Sequence, residues 1–333
     1  MKNSSSNISP DEERTKKTRK DIDYSLFVAP VLLIVCVVFF TIINPRFISL
    51  PNLMNILRQG GPLFIVSFGL SAVILTGSID ISSDGMMSLC GICSVMLANV
   101  VTGGGGWLSL LLGVAIGLVF GSVIGYLVAY VRLPSFLVTY GTSTICRGIA
   151  LIISGGVAQN TMFAAFKKMG NGSVFGFFPT MAVFAIVIFI CMHILTKKTK
   201  YGRSLYAIGA NERVATLCGL PTNKYKMISF MIAGACTGLA GVLMSARLGA
   251  GTHAQGEGMS LDAIAAVVMG GTTLSGGRGS VARCITGVFV ILMLNNGLNL
   301  MGVSPHVQVL VKGIVVILAV AASKDWKSKE IVK

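Results

Sequence analysis

Long apolar runs broken only by short polar gaps recur along the whole chain, near residues 24–43, 61–76, 85–101, 107–131, 133–154, 174–196, 227–247, 260–275, 281–300 and 307–322. A helix needs about 20 apolar residues to cross a hydrocarbon core of about 30 Å. Ten such runs leave too little polar sequence to cover a water-soluble surface. With 53% hydrophobic and 12% charged residues and a mean hydropathy of +0.80, the solvent for most of this chain is lipid. An all-α polytopic membrane protein of about ten transmembrane helices is therefore predicted, and the shorter runs are candidates for broken or half-spanning helices.

The 40 glycines lie largely inside the apolar runs, where small residues let helices approach closely. Gly113, Gly117, Gly121 and Gly125 recur every fourth residue and mark one helix face for packing. The eight cysteines also lie mostly within the runs. Cys90 and Cys93 form the one CxxC pair, with no second pair to complete a metal site, so no metal and no disulfide framework is expected.

The formal charge is +15, and most of the clustered Lys and Arg lie in three segments: the tail 1–23, the loop 197–226 with seven Lys or Arg against one Glu, and the last residues 323–333. Such clustering reads as a set of topology determinants and not as a nucleic-acid surface, and the positive-inside rule places all three in the cytosol. Six runs precede the loop and four follow it, so both counts are even, as that placement requires. Arg132, Arg278 and Arg283 fall on the same side. The first run ends in TIINPRF without a small-residue cleavage pattern, so residues 1–23 are read as a cytosolic tail and not as a cleaved signal. Residues 24–322 form the membrane domain. The block starting at 61 and the block starting at 227 carry four runs each in opposite orientation, which permits an inverted repeat.

The loop 197–226 contains a written helix. Asn211 is an N-cap, Glu212 suits the positive end of the dipole, Gly219 supplies a left-handed stop and Pro221 prevents continuation. A two-turn helix is marginal alone in water and this one carries Val214, Leu217 and Leu220, so it needs a surface to dock on. That surface is either its own membrane domain or a separate soluble subunit.

The run YGRSLYAIGANERVATLCGL at 201–220 resembles the cytoplasmic coupling loop of permeases in the ribose, xylose and galactose class of ABC importers. GSIDISSDGMMSLCG at 77–91, SLDAIAAVVMGGTTLSGGRGSV at 260–281 and NNGLNLMGVSPHVQVLVKGIVVILAV at 295–320 resemble the same family, in the same order. The resemblance implies a permease subunit that moves a monosaccharide or related polyol and does no covalent chemistry. Its implied partners are an ABC ATPase subunit, which carries the ATP and magnesium, an extracytoplasmic solute-binding protein, and a second permease copy in the inner membrane. Mapped onto this sequence, the ATPase-coupling residues are Tyr201, Gly202, Arg203, Gly209, Asn211, Glu212, Ala215, Leu217 and Gly219. The wider family also carries autoinducer furanones, nucleosides or branched-chain amino acids.

LSGGR at 274–278 nearly copies the signature of ABC ATPases, yet no GxxxxGK[ST] loop occurs, so the run is a turn between spans. Carboxylates at membrane depth are expensive and face a bundle interior or a water cavity. Asp80 and Asp262 are therefore candidates either for helix capping and pairing or for solute contact and gating, and Asp84 is a further cap. Arg147, inside the fifth run, must pair or face a polar cavity, with Asp80 a candidate partner. Asn295, Asn296 and Asn299 suit either solute hydroxyls or interhelical bonds. His253 and Glu257 lie four apart on an outward loop, would align on a helix, and lack further ligands for a metal; contact with a binding protein suits that loop better. An ion-coupled secondary transporter is the alternative to the importer. A membrane enzyme is disfavoured, because no paired His or carboxylate cluster is present.

Overall fold

A computed structural model describes residues 25–101, 105–161 and 163–323. The tails expected at 1–23 and 323–333 lie outside the described residues, apart from Ser323. The helices are α1 (Ser25–Ile43), α2 (Leu50–Leu75), α3 (Ser83–Val100), α4 (Gly106–Ala129), α5 (Ser135–Ser154), α6 (Ala164–Asn171), α7 (Thr180–Lys198), α8 (Lys200–Ala210), α9 (Glu212–Leu217), α10 (Thr222–Leu248), α11 (Met259–Met269), α12 (Val281–Leu300) and α13 (Pro305–Ser323). Proline marks many of the starts, inside the first turn at Pro51 and Pro305 and directly before it at Pro134, Pro179 and Pro221. There the missing N–H and the fixed φ match what a helix start requires.

The protein is an all-α membrane bundle. Seven helices among the described residues, α2, α3, α4, α5, α7, α10 and α12, are long and apolar enough to cross a bilayer, and shorter apolar helices occupy the other three runs in α1, α11 and α13. The run at 61–76 is extended into a 26-residue helix by Leu50–Gly60, whose polar Asn52, Asn55, Arg58 and Gln59 hid it from an apolar count. Residues 174–179 are not helical as expected but complete a β2 (Ser173–Val174) and β3 (Phe178–Pro179) hairpin, because Gly176 takes a φ of +81°.

The spans alternate between two ends of the bundle. At one end the termini of α2, α4, α5, α10 and α11 gather around α8 and α9; at the other, β1 (Gln159–Asn160) pairs with β4 (Ala250–Gly251). The two longest helices, α2 and α10, run in opposite directions, and each leads through a non-helical segment into a helix that starts at mid-depth: 76–82 into α3 and 249–258 into α11. α11, at 11 residues, is about 16 Å long and spans half the bundle. The two blocks thus have the opposed arrangement that the span count permits.

Glycine sets the closest approach. An added Cβ at Gly117 would run into the Gly234 carbonyl of α10, at Gly238 into that of Gly113, and at Gly121 into that of Phe230, so α4 and α10 touch backbone to backbone. The face predicted from the four-residue spacing is this contact. Without a hydrophobic driving force between helices in lipid, such close packing supplies the attraction.

Candidate functional site

Two places concentrate polar chemistry: the α8–α9 elbow at one end of the bundle and a set of charges at mid-depth.

In the elbow, the Thr199 side chain accepts from Gly202 N at 3.2 Å and starts α8, and Asn211 Oδ1 accepts from Val214 N at 3.1 Å and starts α9. Gly219 adopts a φ of +81° beyond the end of α9, where a side chain would be strained, and Lys226 Nζ meets Glu212 Oε2 at 2.7 Å. The written helix is therefore present with its cap and its stop. α8 is an additional helix that pattern reading missed, although Thr199 as a cap was there to find it.

One side of the elbow is anchored and the other is bare. Tyr201 Oη lies 2.8 Å from Ser229 Oγ of α10, and Tyr206 Oη donates to the Gly279 carbonyl at 3.2 Å. Burial pushes the Tyr206 phenol above its ordinary value against the opposing pull of Arg283, so it remains protonated as a donor. Gly202 packs on the Thr196 carbonyl, and an added Cβ at Gly209 would collide with the Leu75 carbonyl and Gly277 N. Gly277 N donates to that Leu75 carbonyl at 3.0 Å, so α8, the end of α2 and the 270–280 turn share one backbone junction. Ala215 is buried, whereas Val214 is 52% and Leu217 80% exposed. Arg203, Asn211 and Glu212 are exposed as well. Leu217, Glu212 and Arg213 border a groove of about 880 Å³ whose opposite wall is the α4–α5 turn with Tyr130, Arg132 and Leu133.

At mid-depth the non-helical segment 252–258 is held on all sides, as backbone in lipid must be. Ser88 Oγ lies 2.8 and 2.7 Å from the His253 and Gln255 carbonyls. Gln255 Nε2 donates to Gly241 O at 2.6 Å, and its Oε1 accepts from Ser245 Oγ at 2.8 Å. Asp84 accepts from Gly258 N at 3.1 Å and from Ser260 N at 2.7 Å, which caps α11. His253 and Glu257 do not share a helix face, because 252–258 is non-helical. The segment turns back into the bundle, and no cluster of metal-binding side chains occurs among the described residues.

Asp80 is 2% exposed and is held by Ser82, whose N–H and hydroxyl donate to Oδ1 at 2.8 and 2.6 Å. It does not pair with Arg147. Arg147 stands 3.9 Å from Glu257, because the inward turn of 252–258 brings that carboxylate to α5. Asp262 pairs with Lys312 of α13 at 2.8 Å. Asn296 and Asn52 exchange bonds at 2.8 and 3.1 Å between α12 and α2, Asn299 accepts from Gln308 at 2.8 Å, and Asn295 is half-buried. Asp84, Glu257 and Lys312 therefore join this set, and the three asparagines sit apart from it toward the β1–β4 end.

Residues 52–320 match the family model described as a branched-chain amino acid transport system / permease component. The chain is 38% identical to a ribose import permease protein of Bacillus subtilis over 291 residues, 86% of this chain and 89% of that one. It is 34% identical to the ribose import permease protein of Escherichia coli K12, covering 87% and 91% of the two chains. Identity is 32% to the D-allose transport system permease protein of the same organism, covering 88% and 90%. No solved structure matches.

Proposed function

This chain belongs to the branched-chain amino acid transport system permease family, and we propose that it is the membrane-spanning subunit of an ATP-driven importer for a monosaccharide. The observation that carries the reading is the elbow: a capped two-turn helix, anchored by Ala215 and presenting Val214 and Leu217 to water, is a surface built for a partner. An ABC ATPase subunit is that partner. It holds the ATP and magnesium, and this chain takes no cofactor of its own.

The elbow is tied to the membrane interior. A push on α9 reaches the Gly209–Gly277 junction, and from there the turn 270–280 leads into α11, whose far end carries Asp262 and abuts Asp84 and Glu257. A short rigid helix thus converts motion at the ATPase into motion at mid-depth, and the chain forms no covalent intermediate.

The basic loop 197–226 supports an orientation with the elbow and both termini in the cytosol and the protein in the inner membrane. The β2–β3 hairpin and the β1–β4 pair then face outward toward a solute-binding protein, and a second permease copy completes the pathway. The relatives named for ribose and allose favour a monosaccharide over the branched-chain amino acids of the family description. Uptake of labelled ribose into vesicles holding this chain, its ATPase and its binding protein tests the reading. Uptake that requires ATP and is lost in Leu217→Asp is expected; uptake indifferent to ATP overturns it.

A further inference from the structure

The geometry points to Glu257 and Arg147 as a solute subsite at mid-membrane, one that hydrogen-bonds the hydroxyls of an uncharged polyhydroxylated molecule in transit. This inference rests on the importer reading. Glu257 adjoins the start of α11, about 16 Å from one end of the bundle, and beside Asp84, which lies about 24 Å from the other end of α3. At that depth the side chains of Glu257 and Arg147 are 68% and 35% exposed. Charged groups so exposed cannot face hydrocarbon; they face water or protein.

The other charges at this level are occupied. Asp84 is spent on two backbone N–H groups and Asp262 is bound to Lys312 at 2.8 Å. The Arg147–Glu257 pair is looser, at 3.9 Å, beyond hydrogen-bond length, so the carboxylate keeps its acceptors and the guanidinium its donors. Acceptor and donor side by side, with charges that cancel, match vicinal hydroxyls on a neutral solute. On α5, Tyr140 and Thr144 precede Arg147 at helical spacing on the same face, which adds an aromatic surface for a sugar's C–H face. Tyr140 and Thr144 are themselves exposed, so that face is open.

Two measurements test the subsite. Glu257→Cys, in intact cells treated from outside with a charged, membrane-impermeant thiol reagent, is expected to react well above the wild-type background. Ile145→Cys, exposed on the same helix but nearly opposite Arg147 by helical spacing, is expected to stay inert. Glu257 as unreactive as Ile145 overturns the inference. In vesicles with the ATPase and binding protein, Glu257→Gln and Arg147→Gln should each lower ribose uptake about tenfold or more while co-purification with the ATPase is kept. Unchanged uptake in both also overturns it. If the wild-type chain shows no ATP-dependent ribose uptake, the importer reading itself fails, and the labelling result still reports whether Glu257 lies on an aqueous path.

Discussion

Asp84 and Ser260 cap each other's helices: Asp84 N donates to Ser260 Oγ at 3.2 Å, and Ser260 N donates to Asp84 Oδ1 at 2.7 Å. The positive ends of α3 and α11 therefore meet at mid-depth across one carboxylate, which offsets both dipoles. Asp84→Ala is expected to destabilise the bundle by about 2 kcal/mol, measured as a lower unfolding temperature in detergent, with Asp84→Asn less severe. Equal stability of all three proteins would remove Asp84 as the clasp.

The Asp262–Lys312 pair is mostly buried, and removing one partner of such a pair leaves an uncompensated charge worth about 3 kcal/mol or more. Asp262→Asn and Lys312→Met are each expected to lower stability strongly, and the double variant to recover part of the loss. A double-mutant cycle with no coupling energy would show that the two side chains act independently.

Gly117→Leu drives a side chain into the Gly234 carbonyl and should separate α4 from α10, at about 2 kcal/mol or more of overpacking strain. Gly141→Ala, with open space around it, should leave the unfolding temperature unchanged. The contrast between the two, read by thermal unfolding in the same detergent, checks that the four-residue glycine spacing is a contact face.

Gly209→Val places two methyl groups where the Leu75 carbonyl and Gly277 N pass. The expected result is normal membrane insertion, with ATPase stimulation by the permease reduced about tenfold or more because the elbow no longer seats on the junction. Stimulation at the wild-type level would uncouple this junction from transport.

What was legible in the sequence was what short-range chemistry encodes. Ten apolar runs fix ten segments, Asn211 with Gly219 writes α9, and Gly113 to Gly125 writes the α4 contact. The depth of Glu257 was not legible, because 249–258 reads as a polar loop. It turns inward because Ser88 and Asp84 of α3 satisfy its backbone, while its own Gln255 side chain reaches Gly241 and Ser245 of α10. Lys312 likewise gains its meaning from a partner 50 positions away. Arg147 had to find some partner, and which carboxylate reached it was a tertiary outcome.

On the importer reading, the exposed face of α9 hands ATP-driven motion to this chain. That reading is tested most directly by ATPase turnover and ribose uptake in vesicles holding this chain with its ATPase and binding protein, wild type against Leu217→Asp. Wild type is expected to couple the two activities, and Leu217→Asp to insert normally and lose both by about tenfold or more. Ribose accumulation by this chain alone, driven by an ion gradient without the ATPase, would contradict that reading.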